Sequence, residues 1–292
     1  MDPPTGKKLM TTSIRDALIE GAQILATAGI TNDRMEAASL MSWVLRRDRA
    51  FLITHAEEAL SDDQGRVYRE AVRRRAKREP FQYITGHQEF FKLDFEVTPD
   101  VLIPRPETEL VVETALDLSR ELPAQFIADI GTGSGCIVVS LLHELPGARA
   151  IATDVSPSAL RVAQENARRH KVNDRLELAE ADGFPSAHHA QFSLIVSNPP
   201  YIDEHEFANL QPEVRDYEPR AALASGADGL AHVGMLLRDA PSHLSPGGYL
   251  VFEIGFGQRQ SVEQLIDNGV WNLIEIRTDL QGIPRTLVLQ LR

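Results

Sequence analysis

The stretch FIADIGTGSG, residues 126–135, decides the predicted fold, because an apolar run leads directly into a glycine-rich turn. Five mostly apolar residues bounded by a turn are typical of a buried strand. Glycines let the backbone of the turn approach a ligand closely, and a helix starting there presents free backbone N–H groups. The stretch therefore predicts a strand, a ligand-binding turn and a helix that extends to Leu142.

The chain that follows alternates between strands and helices. Strands separated by helices of 10–15 residues favour βαβ units and a mostly parallel sheet, so the fold class is α/β. The last two strands have only residues 281–284 between them and are predicted to form an antiparallel pair at one edge. The predicted strands are 148–154, 175–182, 192–198, 248–255, 271–279 and 286–292, and the helices are 156–169, 231–243 and 258–267.

The first third of the chain has a different pattern. Apolar residues at helical spacing predict three to five short helices over residues 12–80. Alternation in EFFKLDFEV, residues 89–97, and the apolar run 101–103 predict a hairpin, and a helix is expected from Glu107 to Leu118. The predicted organisation is a disordered tail (1–10), a helical domain (11–86), a β-hairpin linker (87–104) and an α/β domain (105–292).

Composition limits the class of protein. The 292 residues are 43% hydrophobic and 25% charged, which fits a globular protein of two domains. No apolar run approaches the length of a membrane span, and no secretory signal opens the chain. Cys136 is the only cysteine, so a disulfide framework within the chain is excluded and a cytoplasmic location is expected.

The net charge of −12 is unevenly placed. Residues 1–95 have 15 Lys and Arg against 14 Asp and Glu, whereas the remainder has 15 against 28. Nucleic-acid binders usually show a basic footprint, so a direct nucleic-acid substrate is not expected. The basic run 73–78 is interpreted as a solvated helix face, with contact to an acidic or RNA-rich partner as the alternative. No metal site is predicted, and His188 and His189 are assigned to a surface loop.

The glycine turn predicts a cofactor without phosphates. Its spacing, G-x-G-x-G, differs from the dinucleotide pattern, and no P-loop lysine is present. Asp154 ends the next strand, where a carboxylate can accept hydrogen bonds from both ribose hydroxyls. Asp182 ends the third strand and can accept from the adenine amine. Asp129, just before the turn, could face the ammonium group of the cofactor. The alternative is that these strand-terminal aspartates only cap helices. An acidic pocket suits a positively charged sulfonium cofactor.

The most informative stretch is Asn-Pro-Pro-Tyr, residues 198–201, at the end of the fourth strand of this sheet. The prolines stiffen the turn and cannot donate hydrogen bonds, which leaves mainly acceptors: the Asn198 side-chain oxygen and the Pro199 carbonyl. Two acceptors could hold the hydrogens of a planar NH₂ group and stabilise positive charge that develops on its nitrogen. Tyr201 could stack on the planar group. The stretch predicts methylation of an amide or exocyclic amine.

The sequence resembles the HemK/PrmC family, the protein-(glutamine-N5) methyltransferases that act on peptide chain release factors. The similarity covers nearly the whole chain. NPPY is shared with adenine-N6 methyltransferases of DNA, whereas LIPRPETE is far more discriminating. The segments that carry the resemblance are YITGHQEFF (83–91), LIPRPETE (102–109), DIGTGSGC (129–136), ATDVSPSAL (152–160), NPPYI (198–202), EPRAALASGADGL (218–230) and GGYLVFEIG (247–255).

The resemblance implies a seven-stranded class I (Rossmann-like) methyltransferase domain after a small helical domain that helps to grip the release factor. The glutamine of the Gly-Gly-Gln loop would be held by Asn198, Pro199, Pro200 and Tyr201. Arg105 and Glu107 would shape the cofactor-side wall or form an interdomain ion pair. S-adenosylmethionine would be bound by Gly131, Thr132, Gly133, Ser134, Gly135, Asp154, Asp182 and Asn198.

Two alternatives keep the same chemistry on another substrate, and one departure affects the cofactor site. The alternatives are a ribosomal protein glutamine and, against the acidic charge, adenine N6 in nucleic acid. Where some relatives have a large aromatic after the third-strand aspartate, this chain has Gly183 followed by Phe184. The sequence therefore does not predict stacking of adenine on that neighbour.

Overall fold

The structure is a computed structural model that describes residues 12–120, 122, 125–185 and 191–292. Its contacts divide the chain into two compact units, one ending at Thr85 and one spanning Gly86–Arg292. The tail expected at residues 1–10 and the histidine pair 188–189 lie outside the described residues.

The first unit is helical, which confirms the predicted helical N-terminal part. Capping residues define where two of its helices begin. Ser13 accepts a hydrogen bond from the backbone N–H of Asp16, and Ser61 and Gln64 form a capping box. Its apolar core includes Leu25, Leu40 and Met41. The helices are α1 Ile14–Thr27, α2 Asp33–Leu45, α3 Arg49–Thr54, α4 Asp62–Ala76 and α5 Phe81–Thr85.

The basic run 73–78 is engaged largely within this unit. Arg73 pairs with Glu70 at 2.8 Å and Arg74 pairs with Glu79 at 2.6 Å. The guanidinium of Arg75 reaches Glu36 at 3.0 Å, and Arg78 donates to the carbonyl of Gly29 at 3.0 Å. These pairs favour the interpretation of the run as a helix face over a binding surface for an acidic partner.

The second unit contains a hairpin and a large sheet with helices on both faces. It comprises β1 His87–Phe90, β2 Leu93–Glu96, α6 Glu109–Ser119, β3 Phe126–Ile130, α7 Cys136–Glu144, β4 Arg149–Asp154, α8 Pro157–Arg169, β5 Leu176–Glu180, β6 Phe192–Ser197, α9 Glu204–Phe207, α10 Pro212–Arg215, α11 Ala231–Asp239, β7 Leu244–Glu253, α12 Arg259–Leu265, β8 Trp271–Thr278 and β9 Pro284–Leu291. Short 3₁₀ turns lie at Pro106–Thr108, Arg220–Ala222 and Ala240–Ser242.

Seven strands of the described chain form the sheet, in the order β5-β4-β3-β6-β7-β9-β8. The strands from β5 to β7 are parallel, and β9 is antiparallel to both β7 and β8. The α/β class, the mostly parallel sheet and the antiparallel pair at one edge are therefore confirmed. No helix in the described ranges is both long and apolar enough to cross a bilayer.

Alternation along the strands distributes apolar side chains between two cores. On β3, Ile127 belongs to one cluster, whereas Ala128 and Ile130 belong to the other. The first cluster also takes in residues of α6 and α7, and the second takes in residues of α11 and α12. Successive side chains of a strand point to opposite faces. The unit is therefore a three-layer α/β/α structure.

Several predicted boundaries differ from the structure. The hairpin pairs His87 with Glu96 and turns at Phe91 and Lys92, so the apolar run 101–103, predicted as its second strand, is not a strand. The hairpin lies in the same compact unit as the sheet. The helix predicted over 231–243 ends at Asp239, because Pro241 has no N–H with which to continue it.

Asn166 on α8 anchors the hairpin to the sheet's glycine turn. Its Oδ1 accepts from the backbone N–H of Glu96 at 2.7 Å, and its Nδ2 donates to the carbonyls of Glu96 at 3.0 Å and Ser134 at 2.9 Å. The side chain is completely buried. One amide therefore satisfies backbone groups of two segments that are far apart in sequence.

We expect Asn166→Ala to lower the free energy of unfolding by about 2–3 kcal/mol, because buried backbone groups lose their partners. Urea denaturation measures the change. Asn209→Ala is the matched control, since Asn209 makes a single exposed bond to the carbonyl of His205, and it should change stability by less than about 0.5 kcal/mol. Equal effects of the two substitutions would contradict an anchoring role for Asn166.

Candidate active site

The centre of the sheet brings the glycine turn and the Asn-Pro-Pro-Tyr turn together. Ile130, the last residue of β3, is paired with Ser197, the last residue of β6, and the Ser197 hydroxyl donates to the Ile130 carbonyl at 2.7 Å. The strand order runs outward in opposite directions from these two strands. Ligands bind outside the carboxyl ends of strands at such a reversal. Both turns therefore begin where a ligand is expected.

The glycine turn needs its three glycines for conformational reasons. Gly131, Gly133 and Gly135 have φ of +73°, +54° and +79°, a region that other residues enter only at a cost. A β-carbon at residue 131 or 133 would meet nothing within 4 Å, whereas one at residue 135 would lie 3.2 Å from the Cβ of Ala163. Gly135 is thus required for packing as well as for conformation.

Asp154 fixes the turn and lines the space in front of it. Its Oδ2 accepts from the backbone N–H of Gly133 and its Oδ1 accepts from that of Ser156, each at 2.9 Å. The hydroxyl of Ser156 caps α8 by accepting from the N–H of Ala159, so helix capping alone does not account for Asp154. Each carboxylate oxygen can accept a further hydrogen bond from a ligand.

The Asn198 side chain is oriented by a chain of hydrogen bonds. Its Nδ2 donates to the hydroxyl of Thr108 at 3.0 Å, and that hydroxyl donates to Oε2 of Glu253 at 2.6 Å. Within the described part of the chain, no donor is bonded to Oδ1 of Asn198 or to the carbonyl of Pro199. Both predicted acceptor atoms are therefore available to a ligand.

Burial sets the charge state of the carboxyl group behind this turn. Glu253 is 1% exposed, and burial raises the pKa of its carboxyl group to about 7, although the hydrogen bond from Thr108 and the nearby Tyr201 hydroxyl act to lower it. Burial also raises the pKa of the Tyr201 hydroxyl, with the charge of Glu253 as the next cause. Tyr201 therefore keeps its proton at neutral pH.

A cavity of about 240 Å³ lies in front of the two turns. Its lining contains the carboxylates of Asp100, Asp154 and Asp182 and the imidazole of His232, with no lysine or arginine. The described residues contain no group of three or more His, Cys, Asp or Glu side chains that could hold a metal ion. The predicted site residues that line the cavity are Gly131, Thr132, Gly133, Ser134, Asp154, Asp182, Asn198, Pro199 and Pro200.

Comparisons with known proteins identify the family. A profile of the PrmC N-terminal domain matches residues 16–86, and one of the methyltransferase small domain matches residues 108–213. The release factor glutamine methyltransferase of Geobacter sulfurreducens is 47% identical over 251 residues, which cover 86% of this chain and 87% of the relative. The chain belongs to the release factor glutamine methyltransferase family.

Other relatives agree with this family. The release factor glutamine methyltransferase of Koribacter versatilis is 39% identical over 94% of this chain and 98% of its own length. Among solved structures, the hMettl16 catalytic domain in complex with MAT2A 3'UTR hairpin 1 aligns with a TM-score of 0.55 and 14% identity, covering 86% of this chain and 90% of that one. At that identity the likeness shows the methyltransferase fold alone.

Several residues discussed from the sequence lie away from the cavity, and Asp129 is the first of them. Asp129 is completely buried and accepts from the hydroxyl of Thr132 at 2.7 Å; burial raises the pKa of its carboxyl group to about 7. It supports the turn from behind and does not face a cofactor's ammonium group. Gly135 and Tyr201 do not line the cavity either.

Tyr201 is packed at the back of its turn. Its ring lies against Gly255, where a β-carbon would come within 2.9 Å of the ring, and its carbonyl accepts from Nε2 of Gln258 at 2.9 Å. The structure thus places its ring against the protein. Stacking of Tyr201 on a substrate remains a prediction.

The structure pairs Arg105 with a residue other than Glu107. The guanidinium of Arg105 pairs with Glu218, whose other oxygen accepts from the backbone N–H of Ile103 at 3.2 Å. Burial raises the pKa of Glu218, while Arg105 acts to lower it. All three residues lie within the second unit, and neither Arg105 nor Glu107 lines the cavity. The pair instead fixes the segment 102–109 to the segment 218–230.

The wall near Asp182 uses Met235. Gly183 has φ of +86°, and a β-carbon there would lie 3.1 Å from the sulfur of Met235, which lines the cavity together with Val155. Phe184 stacks on His243 with ring centroids 4.5 Å apart and does not line the cavity. Apolar contact near Asp182 therefore comes from Met235 and Val155.

Sequence reasoning missed Thr108, Glu253 and Asn166 as parts of the site. Thr108 and Glu253 lie within two of the segments that carry the family resemblance, 102–109 and 247–255. That position was the available signal, but only the fold shows that their side chains meet behind Asn198.

We expect Gly135→Ala to destabilise the protein by about 2 kcal/mol or more, because positive φ and the contact with Ala163 act together. Gly133→Ala is the matched control: it has the positive φ without the contact and should lower the free energy of unfolding by about 1 kcal/mol. Urea denaturation of both variants measures the difference. Equal losses would show that the packing against Ala163 contributes nothing.

Proposed function

We propose that the protein transfers a methyl group from S-adenosylmethionine to the side-chain amide nitrogen, N5, of the glutamine in the Gly-Gly-Gln loop of peptide chain release factors. The observation that carries the proposal is that the glycine turn and the Asn198 turn line the same cavity. Two hydrogen-bond acceptors of the second turn, Oδ1 of Asn198 and the carbonyl of Pro199, are available there. A methyl donor and a planar amide can therefore meet in one place.

The residues of the cavity fit a sulfonium cofactor. Three carboxylates and no lysine or arginine line it, which favours a cation and disfavours a phosphate-bearing cofactor. Asp154 would accept from the ribose hydroxyls, and Asp182 would accept from the adenine amine. When bound, the cofactor supplies an electrophilic methyl carbon. The residues that would hold it are Gly131, Thr132, Gly133, Ser134, Gly135, Asp154, Asp182 and Asn198, with Gly135 acting through the shape of the turn.

The Asn198 turn would bind and orient the substrate amide. An amide nitrogen is a poor nucleophile because its lone pair is delocalised. Oδ1 of Asn198 and the carbonyl of Pro199 would each accept a hydrogen bond from one N–H group of the substrate amide. These two bonds would hold the nitrogen in place. The same acceptors would stabilise the positive charge that grows on nitrogen as the new N–C bond forms and the bond from the methyl carbon to the cofactor sulfur breaks, its electron pair staying on sulfur, until one proton leaves the nitrogen to water. Pro200 keeps the turn rigid.

The release factor as partner is supported by the names of the relatives, which are release factor glutamine methyltransferases at 39–47% identity. The helical unit ending at Thr85 would grip the body of the release factor, while the unit from Gly86 to Arg292 would take its Gly-Gly-Gln loop. Because release factors work in translation, the proposed place of action is the cytoplasm.

Incubation of the purified protein with S-adenosylmethionine and a release factor tests the proposal. We expect the release factor to gain the mass of one methyl group, located at the glutamine of its Gly-Gly-Gln loop by fragmentation mass spectrometry. A release factor with that glutamine replaced by glutamate is the control and should remain unmodified. Methylation of ribosomal protein, DNA or tRNA in parallel reactions, with the release factor unchanged, would replace this function with one of its alternatives.

Two substitutions should separate substrate orientation from cofactor binding. Asn198→Ala should lower kcat by about 10²–10³-fold, the usual effect of removing a group that stabilises developing charge, with a smaller effect on cofactor affinity. Asp154→Asn should raise the cofactor Kd by about 10–100-fold, because hydrogen bonds to a charged group are lost. Kinetics on the release factor and isothermal titration with the cofactor measure the two effects.

Asp174→Asn controls for the change in net charge, since Asp174 is exposed and does not line the cavity. It should leave both kcat and cofactor Kd as in the parent protein. An Asn198→Ala variant with unchanged turnover would refute the acceptor mechanism, and an Asp154→Asn variant with unchanged cofactor affinity would refute the proposed contact to the cofactor.

A further inference from the structure

We infer that Thr108 and Glu253 are positioning residues that determine which end of the Asn198 carboxamide faces the substrate. The inference rests on the proposed function, because it concerns the orientation of the group that would bind the glutamine amide. The observation is the chain of buried hydrogen bonds from Asn198 through Thr108 to Glu253.

The orientation of an asparagine carboxamide is not fixed by its shape. The oxygen and the NH₂ group occupy nearly the same volume, so a rotation of 180° exchanges them at little steric cost. With Oδ1 toward the cavity, Asn198 accepts from a substrate N–H. With Nδ2 toward the cavity, two NH₂ groups would face each other and no hydrogen bond would form. Turnover therefore requires one of two sterically equivalent states.

The hydroxyl of Thr108 could not select that state alone, because a hydroxyl both donates and accepts. Its direction is set by the next member of the chain. An ionised carboxylate can only accept, so Glu253 takes the Thr108 proton over a distance of 2.6 Å. Thr108 is then left as an acceptor toward Asn198, which must present Nδ2 to it at 3.0 Å. The consequence is that Oδ1 faces the cavity.

The interior placement of this chain strengthens the selection. Thr108 is 2% exposed and Glu253 is 1% exposed, so water cannot readily replace either partner. The turn that holds the substrate is therefore connected to a buried carboxylate through Asn198 and Thr108.

Protonation of Glu253 would remove the selection, because a carboxylic acid can donate to Thr108 and release the threonine proton toward Asn198. Thr108, Tyr201, Arg285 and Glu107 are the polar and charged groups that act on Glu253; Cys136 is also affected by its charge. Burial raises the pKa of Glu253 to about 7. Since the selective form is the ionised one, kcat should fall as the pH falls through about 7.

Paired substitutions of Thr108 test the positioning role. Thr108→Val keeps the shape and removes the hydroxyl, and we expect kcat to fall about 10–100-fold, the range for groups that orient a functional side chain. Thr108→Ser keeps the hydroxyl and should retain most of the parent kcat. Cofactor Kd, measured by titration, should be the same in both variants, and urea denaturation should establish that both are folded.

A double-mutant cycle tests whether Thr108 acts through Asn198. If it does, Thr108→Val should have no further effect on kcat in an Asn198→Ala background. A full loss in that background, or parent-like kcat in the single Thr108→Val variant, would overturn the inference. Absence of release factor methylation by the parent protein would instead reject the proposed function, so the two failures are distinguishable.

The pH profile of Glu253→Gln tests the charge requirement. We expect this variant to have a lower kcat that no longer falls near pH 7, with the parent profile as reference. Asp129 is buried and has its pKa raised to about 7 as well. If the fall near pH 7 persists in Glu253→Gln, it belongs to Asp129 or another group and the charge requirement is wrong.

A readout without substrate completes the test. The side-chain NH₂ resonances of Asn198, assigned in ¹⁵N-labelled protein by their loss in Asn198→Ala, should shift between pH 6 and pH 8, a span about one unit either side of the expected pKa. They should show no such shift in Glu253→Gln. Resonances that are insensitive to pH in the parent protein would contradict coupling between Glu253 and Asn198.

Discussion

The parallel pairing of β3 with β6 is the constraint on which the site depends. These strands are far apart in sequence, and their pairing places Ile130 opposite Ser197 at the centre of the sheet. The residues that follow leave the sheet from the same edge, one segment as the glycine turn and the other as the Asn-Pro-Pro-Tyr turn. A shift of two residues in this register would move the turns apart by about 7 Å, two residues of strand rise, and would divide the cavity that both turns line.

Segments that come late in the sequence hold the second turn in place. A β-carbon on Gly229 would lie 2.4 Å from the carbonyl oxygen of Tyr201, and one on Gly255 would collide with its ring. Gln258 bridges these segments by donating to the Tyr201 and Gly229 carbonyls. The segments 218–230 and 247–255, which carry the family resemblance, form the surfaces against which the Asn-Pro-Pro-Tyr turn packs.

The elements of the fold were predictable because local patterns specify them. The β3 strand, the glycine turn and the alternation of strands and helices followed from period and turn chemistry, and the antiparallel edge followed from a short connection. The second strand of the hairpin was predicted in the wrong place because the turn is formed by Phe91 and Lys92. Both residues have positive φ, a conformation that their residue types do not indicate in a sequence. The position of an element could not be predicted where its backbone departs from the conformation that its residue types usually adopt.

Partners separated widely in sequence were not predictable. Asp129, Arg105 and Glu107 all had plausible chemistry for a cavity wall, but each side chain's direction depends on strand register and on neighbours such as Glu218 and Thr132. Thr108 and Glu253 are 145 residues apart and meet only in the folded chain. A motif identifies which residues matter more readily than it identifies which atoms face the ligand.

Two buried carboxylates behind the cavity share one arrangement. Asp129 accepts from Thr132 at 2.7 Å and Glu253 accepts from Thr108 at 2.6 Å, and both threonines line the cavity. Burial of a carboxylate destabilises a protein unless its partners compensate, and both groups have raised pKa values for that reason. Each directs a threonine proton away from the cavity and leaves the hydroxyl oxygen as an acceptor. A cavity of acceptors favours a cationic donor and a substrate that offers N–H bonds, at the expense of stability.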